Sequence, residues 1–346
     1  MHSTPSFGAD VSDKELLLSV RDLAVSFTTE AGTVRAVNGV SFDVRRGDVL
    51  AIVGESGSGK SVSMLSLVGL LPPKTSSIDG GSAIWKGTDL ITMTPAQMRA
   101  TRAKEIAMIF QDPLSAMNPV HRVGRQIAES MRLHLGLSKK QADLRAVELL
   151  DLVGIPQPAT RAHSYPHEFS GGMRQRAMIA MAIACSPDLL IADEPTTALD
   201  VTVQAQVLDV LMAMKDRIGS AIVLITHDLG VVAGLADSLL VMYAGAPVEV
   251  GSTDDVFYRT AHPYTEGLLA SLPRLDSSGD AELTPIKGAP PSLIRIPSGC
   301  AFHPRCPYAT QRCREEVPTL RPVNALSGHL VACHHADELQ LVGAEQ

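Results

Sequence analysis

The sequence predicts an α/β fold, in which a mostly parallel β-sheet is covered by helices. Two observations lead to this prediction. Short, mostly apolar runs typical of buried parallel strands alternate with segments of helical periodicity; they occupy residues 49–53, 106–110, 188–194, 221–226 and 239–243. A glycine-rich segment, residues 54–61, also stands directly between the first run and a helical pattern. Strands that alternate with helices in this way are typical of a parallel sheet.

The N-terminal region has a different pattern. Residues 1–14 are polar, contain no apolar core of a secretory signal, and are predicted to be a flexible tail. Residues 16–27 and 34–44 alternate apolar and polar side chains, as two paired, half-exposed strands would. We therefore expect an antiparallel β edge in addition to the parallel sheet.

Composition and charge exclude several classes of protein. The net charge of -7 argues against a general nucleic-acid binder, which would carry a basic face. No run approaches the length of about 18 apolar residues that a membrane-spanning helix needs. We therefore expect a cytoplasmic protein that reaches a membrane only through a partner.

Residues 54–61 read Gly-Glu-Ser-Gly-Ser-Gly-Lys-Ser, which fits the pattern G-x-x-x-x-G-K-[ST] of the P-loop. The backbone N–H groups of such a loop converge on one anion at a helix N-terminus. Lys60 is expected to reach the β- and γ-phosphates, and the Ser61 hydroxyl to bind Mg²⁺. The residues predicted to bind the nucleotide are Gly54, Ser56, Gly57, Ser58, Gly59, Lys60 and Ser61. The predicted fold is therefore that of a P-loop NTPase, with ATP and Mg²⁺ as ligands.

The domain organisation follows from shifts in pattern. Helical periodicity predicts a helical block, residues 87–185, inserted between strands of the nucleotide-binding domain, residues 15–260. In its helix over residues 138–153, Leu144, Val147, Leu150 and either Leu152 or Val153 are expected on one apolar face. Proline, serine and glycine become frequent after about residue 260, so residues 261–346 are predicted to form a small Cys-rich C-terminal domain.

Polar side chains at strand ends indicate the hydrolytic chemistry. Asp193 and Glu194 end a buried strand, at the edge of the sheet where ligands bind in open α/β folds. Asp193 is expected to hold Mg²⁺, and Glu194 to polarise the attacking water. Gln111 and His227 follow two other strands. Gln111 is expected to bind the metal and the water, and His227 to contact the γ-phosphate.

A second glycine segment, Ser170-Gly171-Gly172, opens a predicted helix with Ser170 as its N-cap. Its N–H groups and the positive helix end suit a phosphate. Because the P-loop already serves one nucleotide, this segment makes sense if it binds a nucleotide that another subunit holds.

These motifs, in this order, resemble the ATP-binding subunits of ABC transporters over about residues 16–260. The resemblance rests on the P-loop, Gln111, the Ser-Gly-Gly signature at 170–174, the acidic strand at 188–194, Ala198-Leu199-Asp200, and His227. It implies a nucleotide-sandwich dimer with a paralogue or with itself, contacts from Asp200 to the nucleotide, and stacking of Phe27 on adenine. The signature departs from the commonest form at its ends, where it reads Phe169 and Met173.

Flanking segments resemble the dipeptide/oligopeptide importer branch, which includes nickel importers. They are residues 111–119, 242–245, 262–265 and the tail from Gly299 to His334. In that branch the ATPase docks on two transmembrane permeases at the cytoplasmic face of the membrane, and an extracytoplasmic binding protein supplies the solute. The resemblance implies an ATPase that powers uptake of di- or oligopeptides. Nickel or other small-solute import is the same-fold alternative, and a soluble ABC-type ATPase outside transport is an alternative of another class.

Four cysteines cluster in the tail: Cys300, Cys306, Cys313 and Cys333. In a cytosolic chain such a cluster suggests a metal more than disulfides. Zinc sites usually contain a closely spaced cysteine pair, and none is present here. Four thiolates without such a pair can hold a [4Fe–4S] cluster, which the importer resemblance also implies. Zinc and free or redox-active thiols remain open.

Overall fold

The computed structural model describes residues 14–197, 199–272, 285–323 and 328–344. The predicted tail lies outside the described residues apart from Lys14. The strands are β1 (Leu16–Thr29), β2 (Gly32–Arg45), β3 (Val49–Val53), β4 (Ser76–Trp85), β5 (Thr88–Asp89), β6 (Ile106–Ile109), β7 (Leu189–Asp193), β8 (Ala221–Thr226), β9 (Ser238–Tyr243), β10 (Ala246–Ser252), β11 (Arg321–Pro322) and β12 (Leu330–Val331).

The helices are α1 (Lys60–Leu67), α2 (Pro95–Thr101), α3 (Pro113–Ala116), α4 (Val123–His134), α5 (Lys139–Leu152), α6 (Pro158–Arg161), α7 (Gly171–Ile183), α8 (Val201–Ile218), α9 (Leu229–Val232), α10 (Thr253–Tyr258), α11 (Pro263–Ala270) and α12 (Gln311–Glu315). Within the described ranges, none of these helices is both long and apolar enough to cross a bilayer.

The chain forms two compact units. Of the described residues, those within 1–44, 49–91 and 226–346 form the first unit, and those within 45–48 and 92–225 form the second. In the first unit, β2, β1, β4 and β5 lie side by side, with β4 antiparallel to both β1 and β5. A further set runs β11-β12-β10-β9-β3, in which β3 and β9 are parallel and β10 is antiparallel to its neighbours.

The second unit contains three parallel strands, in the order β8-β7-β6, together with helices α2 to α8. All the residues of β7 are buried, as are those of β3 in the first unit. The α/β prediction, with a parallel core and an antiparallel part, is therefore confirmed. The described part of residues 261–346, predicted to form a separate Cys-rich domain, lies in the same compact unit as the P-loop. The division at residue 260 stays a prediction.

Helix α5 buries only part of the face predicted for it: Leu150 in the helix and Val153 at its end are fully buried. Ala142 and Ala146 are fully buried, whereas Leu144 is 59% exposed and Val147 is only half-buried. The helix packs against α4, and small side chains allow two helices to approach closely. The prediction was wrong for Leu144 because it ranked positions by hydrophobicity and passed over alanine.

A buried carboxylate ties the C-terminal region to β10. Glu249 is completely buried, and its oxygens accept hydrogen bonds from the backbone N–H groups of Ala261 (2.7 Å) and His262 (3.1 Å). The buried His329 ring lies 2.8 Å away, at Nε2. One side chain therefore joins a strand, the start of α11 and the segment before β12.

We predict that Glu249→Ala lowers the free energy of unfolding by about 3 kcal/mol, because it leaves buried donors without an acceptor. Equilibrium urea unfolding measures the change. Glu338→Ala is the matched control, since Glu338 pairs with His335 but is 74% exposed, and such pairs contribute about 0–1 kcal/mol. Equal effects of the two substitutions would contradict the prediction.

Candidate nucleotide site

The P-loop connects β3 to α1 and depends on glycine at its end. Gly59 is the N-cap of α1 with φ 99°, in the left-handed region that favours glycine. A Cβ atom at this position would lie 2.3 Å from the carbonyl oxygen of Ala36. Any other residue here would force the loop away from its neighbour, so the sequence fixes the turn that presents Lys60.

The polar groups of the loop suit a phosphate. Lys60 is only 4% exposed, and its Nζ donates to the carbonyl oxygens of Gly54 (2.7 Å) and Glu55 (3.0 Å). The Ser58 hydroxyl is buried and has no hydrogen-bond partner in the described chain. Because buried polar atoms are normally paired, a hydroxyl donor and an ammonium in one loop fit an anionic ligand such as a triphosphate.

Two further predicted residues lie in the same unit as the P-loop. Phe27 is half-buried on β1, in register with Ser76 of β4. His227 follows β8 and is exposed. The next residue, Asp228, caps α9 by accepting from the N–H of Gly230 at 2.9 Å, so the local fold holds the backbone beside His227.

In the second unit, the structure brings two of the predicted catalytic residues together. The Gln111 amide donates to a carboxylate oxygen of Glu194 at 2.8 Å, and the Thr197 hydroxyl donates to the same oxygen at 2.8 Å. Parallel pairing of Ile109 with Ala192 explains this contact, since it aligns the residues that follow both strands. Glu194 has φ 45°, which is uncommon for a non-glycine residue and is often associated with functional sites.

Asp193 is the last residue of β7 and is 7% exposed. A carboxylate oxygen is a preferred ligand of Mg²⁺, which typically takes only one or two protein carboxylates and completes its shell with water and substrate phosphates. The carboxylate of Asp193 and the side-chain oxygen of Gln111 are therefore donor types that fit this ion.

The Ser-Gly-Gly segment opens α7 as predicted. The Ser170 hydroxyl caps the helix by accepting from the N–H of Met173 at 3.3 Å. Gly172 lies against α8, where a Cβ atom would come within 2.6 Å of Val203 Cγ1. Asp200 is the N-cap of α8 and accepts from Val203 N–H at 3.0 Å. The segment and Asp200 are thus parts of one rigid helix pair. Of the neighbouring motif, Ala198 lies outside the described residues.

The sequence did not predict the residues outside the P-loop that bind to it. The backbone N–H of Glu55 donates to the Tyr264 hydroxyl at 2.8 Å, and the Glu55 carboxylate binds Arg305. Tyr264 lies in α11, whose N-cap is the buried His262 ring. Burial lowers the pKa of His262 to about 3, so the ring stays neutral. Tyr264 stood within a segment noted only for its resemblance, and no local pattern marked Arg305.

The four tail cysteines line one pocket, together with side chains that include His262, His303 and Phe302. The free volume between them is about 20 Å³, which is room for about one water molecule. All four are free thiols. In the described ranges, no group of three or more His, Cys, Asp or Glu residues is arranged to hold a metal. The four thiol donors are the ligand type that a [4Fe–4S] cluster takes.

The thiols differ in their tendency to ionise. Burial raises the pKa of Cys306 to about 11, and burial also raises the pKa of Cys300 and Cys333. Burial opposes ionisation of Cys313 too, but hydrogen bonds with Thr310 and His335 outweigh it and lower its pKa. Metal binding would therefore have to displace protons from at least three of these thiols.

Comparison with known proteins agrees with this geometry. Residues 37–197 match the model of the ABC transporter family, and residues 248–313 match that of the oligopeptide/dipeptide transporter C-terminal region. The chain is 51% identical over 326 residues to the dipeptide transport ATP-binding protein DppD of Bacillus subtilis, covering 94% of this chain and 96% of the relative. It is 52% identical over 319 residues to the oligopeptide transport ATP-binding protein OppD of Salmonella typhimurium, covering 92% and 93%.

A solved structure shares the fold. It is the dimeric ATP-binding cassette MJ0796, in a post-hydrolysis state bound to ADP and Pi. The TM-score is 0.62 at 21% sequence identity, covering 68% of this chain and 99% of that one. The P-loop between β3 and α1, together with the match to the ABC transporter family, defines the class as a P-loop ATPase of the ABC type. The chain belongs to the ABC transporter ATP-binding proteins, in the family that carries the oligopeptide/dipeptide transporter C-terminal region.

Proposed function

We propose that this protein is the ATP-hydrolysing subunit of an importer that powers uptake of di- or oligopeptides. The observation that carries the proposal is the similarity, over nearly the whole chain, to dipeptide and oligopeptide transport ATP-binding proteins. The polar groups of the P-loop and the paired Gln111 and Glu194 supply the chemistry such a subunit needs. Nickel import remains the competing outcome of the test below.

In this proposal the P-loop and Phe27 bind the nucleotide, and the residues at the strand ends carry out its hydrolysis. Lys60 and Ser58 hold phosphate oxygens, the glycines of the loop allow the close approach, and Phe27 stacks on the adenine. Ser61, Asp193 and Gln111 would hold Mg²⁺, which neutralises the phosphate charge. Glu194 accepts the proton of the attacking water, and the Gln111 amide orients its carboxylate. His227 contacts the γ-phosphate.

The remaining site residues act across a dimer. Ser170, Gly171 and Gly172 contact the nucleotide of a second ATPase subunit, and Asp200 follows at the start of α8. ATP binding closes the dimer and hydrolysis reopens it. The partners are two permeases, and indirectly an extracytoplasmic binding protein, so the subunit works at the cytoplasmic face of the membrane. We keep the division into residues 15–260 and 261–346 as part of this proposal.

Uptake of labelled peptides tests the function. Cells that carry the wild-type protein should accumulate labelled di- or oligopeptides, and cells that carry Glu194→Gln should not, while labelled nickel uptake stays unchanged. Glu148→Gln is the matched control, because Glu148 is 61% exposed and pairs with Arg145 on α5. Loss of nickel uptake with unchanged peptide uptake would assign the metal-importer function instead. If neither changes, the transport proposal is wrong.

We further propose that Cys300, Cys306, Cys313 and Cys333 hold a [4Fe–4S] cluster with a structural or redox-sensing role. The proposal is supported by their shared pocket and by the four-thiol donor set. Protein purified without oxygen should contain about four iron atoms and absorb visible light near the wavelengths of such clusters. Cys300→Ser should lose most of the iron, whereas Cys185→Ser should retain it, because Cys185 lies buried at the end of α7. Stoichiometric zinc, or no metal, would contradict this prediction.

A further inference from the structure

A salt bridge connects the P-loop to the segment that carries the cysteines. The Arg305 guanidinium binds both carboxylate oxygens of Glu55, at 2.6 and 3.0 Å, and its side chain is only 5% exposed. Glu55 is the second residue of the P-loop, and the two residues are 250 positions apart in sequence. A two-bonded pair of this kind fixes orientation as well as distance.

Hydrogen bonds to other residues fix the position of the Arg305 guanidinium as well. Its other N–H groups donate to the Lys287 carbonyl (3.1 Å), the Ile286 carbonyl (3.4 Å) and the Tyr243 hydroxyl (3.4 Å). All five donors of the guanidinium therefore have acceptors. The group also lies over the rings of Tyr243 and Phe302, at 5.8 and 6.0 Å from their centroids. These contacts fix the orientation of the guanidinium more tightly than an exposed salt bridge would.

Glu55 is constrained from several sides. Its N–H donates to Tyr264, its carbonyl accepts from Lys60 Nζ, and the same carbonyl accepts from the N–H of Ser58 at 3.2 Å. Movement of Glu55 would therefore shift both the lysine and the serine that are proposed to hold phosphate. The carboxylate also places a negative charge in a loop that must accept a triphosphate, and Arg305 compensates that charge.

We propose that Arg305 is a positioning residue of the ATP site, which acts through Glu55 to set the P-loop and to neutralise its carboxylate. The inference rests on the proposed function, because it assumes that the P-loop binds ATP. It makes the segment from Ile286 to Cys306 part of the nucleotide site. Arg305 directly precedes Cys306, and two backbone turns connect it to the cysteine pocket. In these turns the N–H of Arg305 donates to the Phe302 carbonyl (2.9 Å), and the N–H of His303 donates to the Cys300 carbonyl (3.0 Å).

Binding of MgATP to the full-length chain, measured by titration calorimetry, tests the inference. Arg305→Ala should weaken binding about tenfold, since it leaves an uncompensated carboxylate beside the triphosphate. The double variant Arg305→Ala/Glu55→Gln should return to within about threefold of wild type, because the repelling charge is gone. Arg321→Ala is the matched control: Arg321 lies in the same C-terminal region and pairs with Asp337 in the same two-bonded manner.

Several outcomes separate a positioning role from a merely structural one. A structural role predicts that the double variant binds MgATP no better than Arg305→Ala, and that result would overturn the inference. Wild-type affinity in Arg305→Ala would overturn it as well. If Arg305→Ala does not fold, Arg305→Lys is measured instead, since lysine keeps the charge but cannot form the two-bonded pair with Glu55. Its MgATP binding should be about threefold weaker than that of the wild type. Wild-type affinity in this variant would refute the inference. Failure of the wild-type chain to bind MgATP would overturn the proposed function together with this inference.

Discussion

Glu194→Gln is expected to lower kcat for ATP hydrolysis by about 10²- to 10⁴-fold, the usual contribution of a general base, while MgATP still binds. The carboxylate is the group that accepts the proton of the water, and an amide does not do so. Glutamine keeps an oxygen that can accept from the Gln111 amide and the Thr197 hydroxyl, which both contact Glu194 at 2.8 Å in the wild type. The geometry around the site is therefore preserved.

The measurement is steady-state phosphate release together with the dissociation constant for MgATP. Glu148→Gln, on the exposed face of α5, should leave both unchanged. A kcat within threefold of wild type in Glu194→Gln would show that another group activates the water. Weakened MgATP binding, with kcat unchanged, would place Glu194 in binding rather than in proton transfer.

Lys60→Met is expected to weaken MgATP binding by on the order of a hundredfold, since it removes charge-assisted hydrogen bonds to phosphate oxygens. Methionine has a similar length and suits the buried position, where Lys60 is 4% exposed. The substitution should therefore remove the ammonium without creating a cavity. Calorimetric titration with MgATP measures the affinity.

Lys140→Met is the control for this substitution, because Lys140 lies on the exposed side of α5. The unfolding midpoint of Lys140→Met should match that of the wild-type protein, whereas that of Lys60→Met should fall modestly, because two backbone carbonyls lose a donor. Unchanged MgATP affinity in Lys60→Met would contradict the assignment of the P-loop as the phosphate site.

Two kinds of site residue could be predicted from the sequence: those in one contiguous motif, and those that directly follow adjacent parallel strands. The P-loop is contiguous, so its pattern and its place between a strand and a helix identified it. Gln111 and Glu194 are 83 positions apart, yet each follows a parallel strand, and the ends of adjacent parallel strands meet. Such contacts can be inferred because the topology brings them together.

Other features of the structure depend on contacts between residues far apart in the sequence, which a local hydropathy pattern does not reveal. Strand β10 was not predicted, and it contains Glu249, a carboxylate that a hydropathy pattern assigns to the surface. Glu249 is buried because backbone donors and His329 satisfy it. The pairing of Glu55 with Arg305 was also missed, since neither residue's neighbours reveal a partner so distant in sequence. The four tail cysteines line one pocket, as their clustering in the sequence indicates. Their spacing alone does not distinguish an iron–sulfur cluster from zinc or from free thiols.

The most direct test of the central claim is peptide-stimulated ATP hydrolysis by the assembled transporter. The chain would be reconstituted in liposomes with the permeases and the binding protein proposed as its partners, and phosphate release would be measured with and without di- and oligopeptides. We predict that peptide raises the rate severalfold in the wild-type complex and that Glu194→Gln abolishes both the basal and the stimulated rate. ATP hydrolysis that no peptide stimulates, or stimulation that survives Glu194→Gln, would contradict the account.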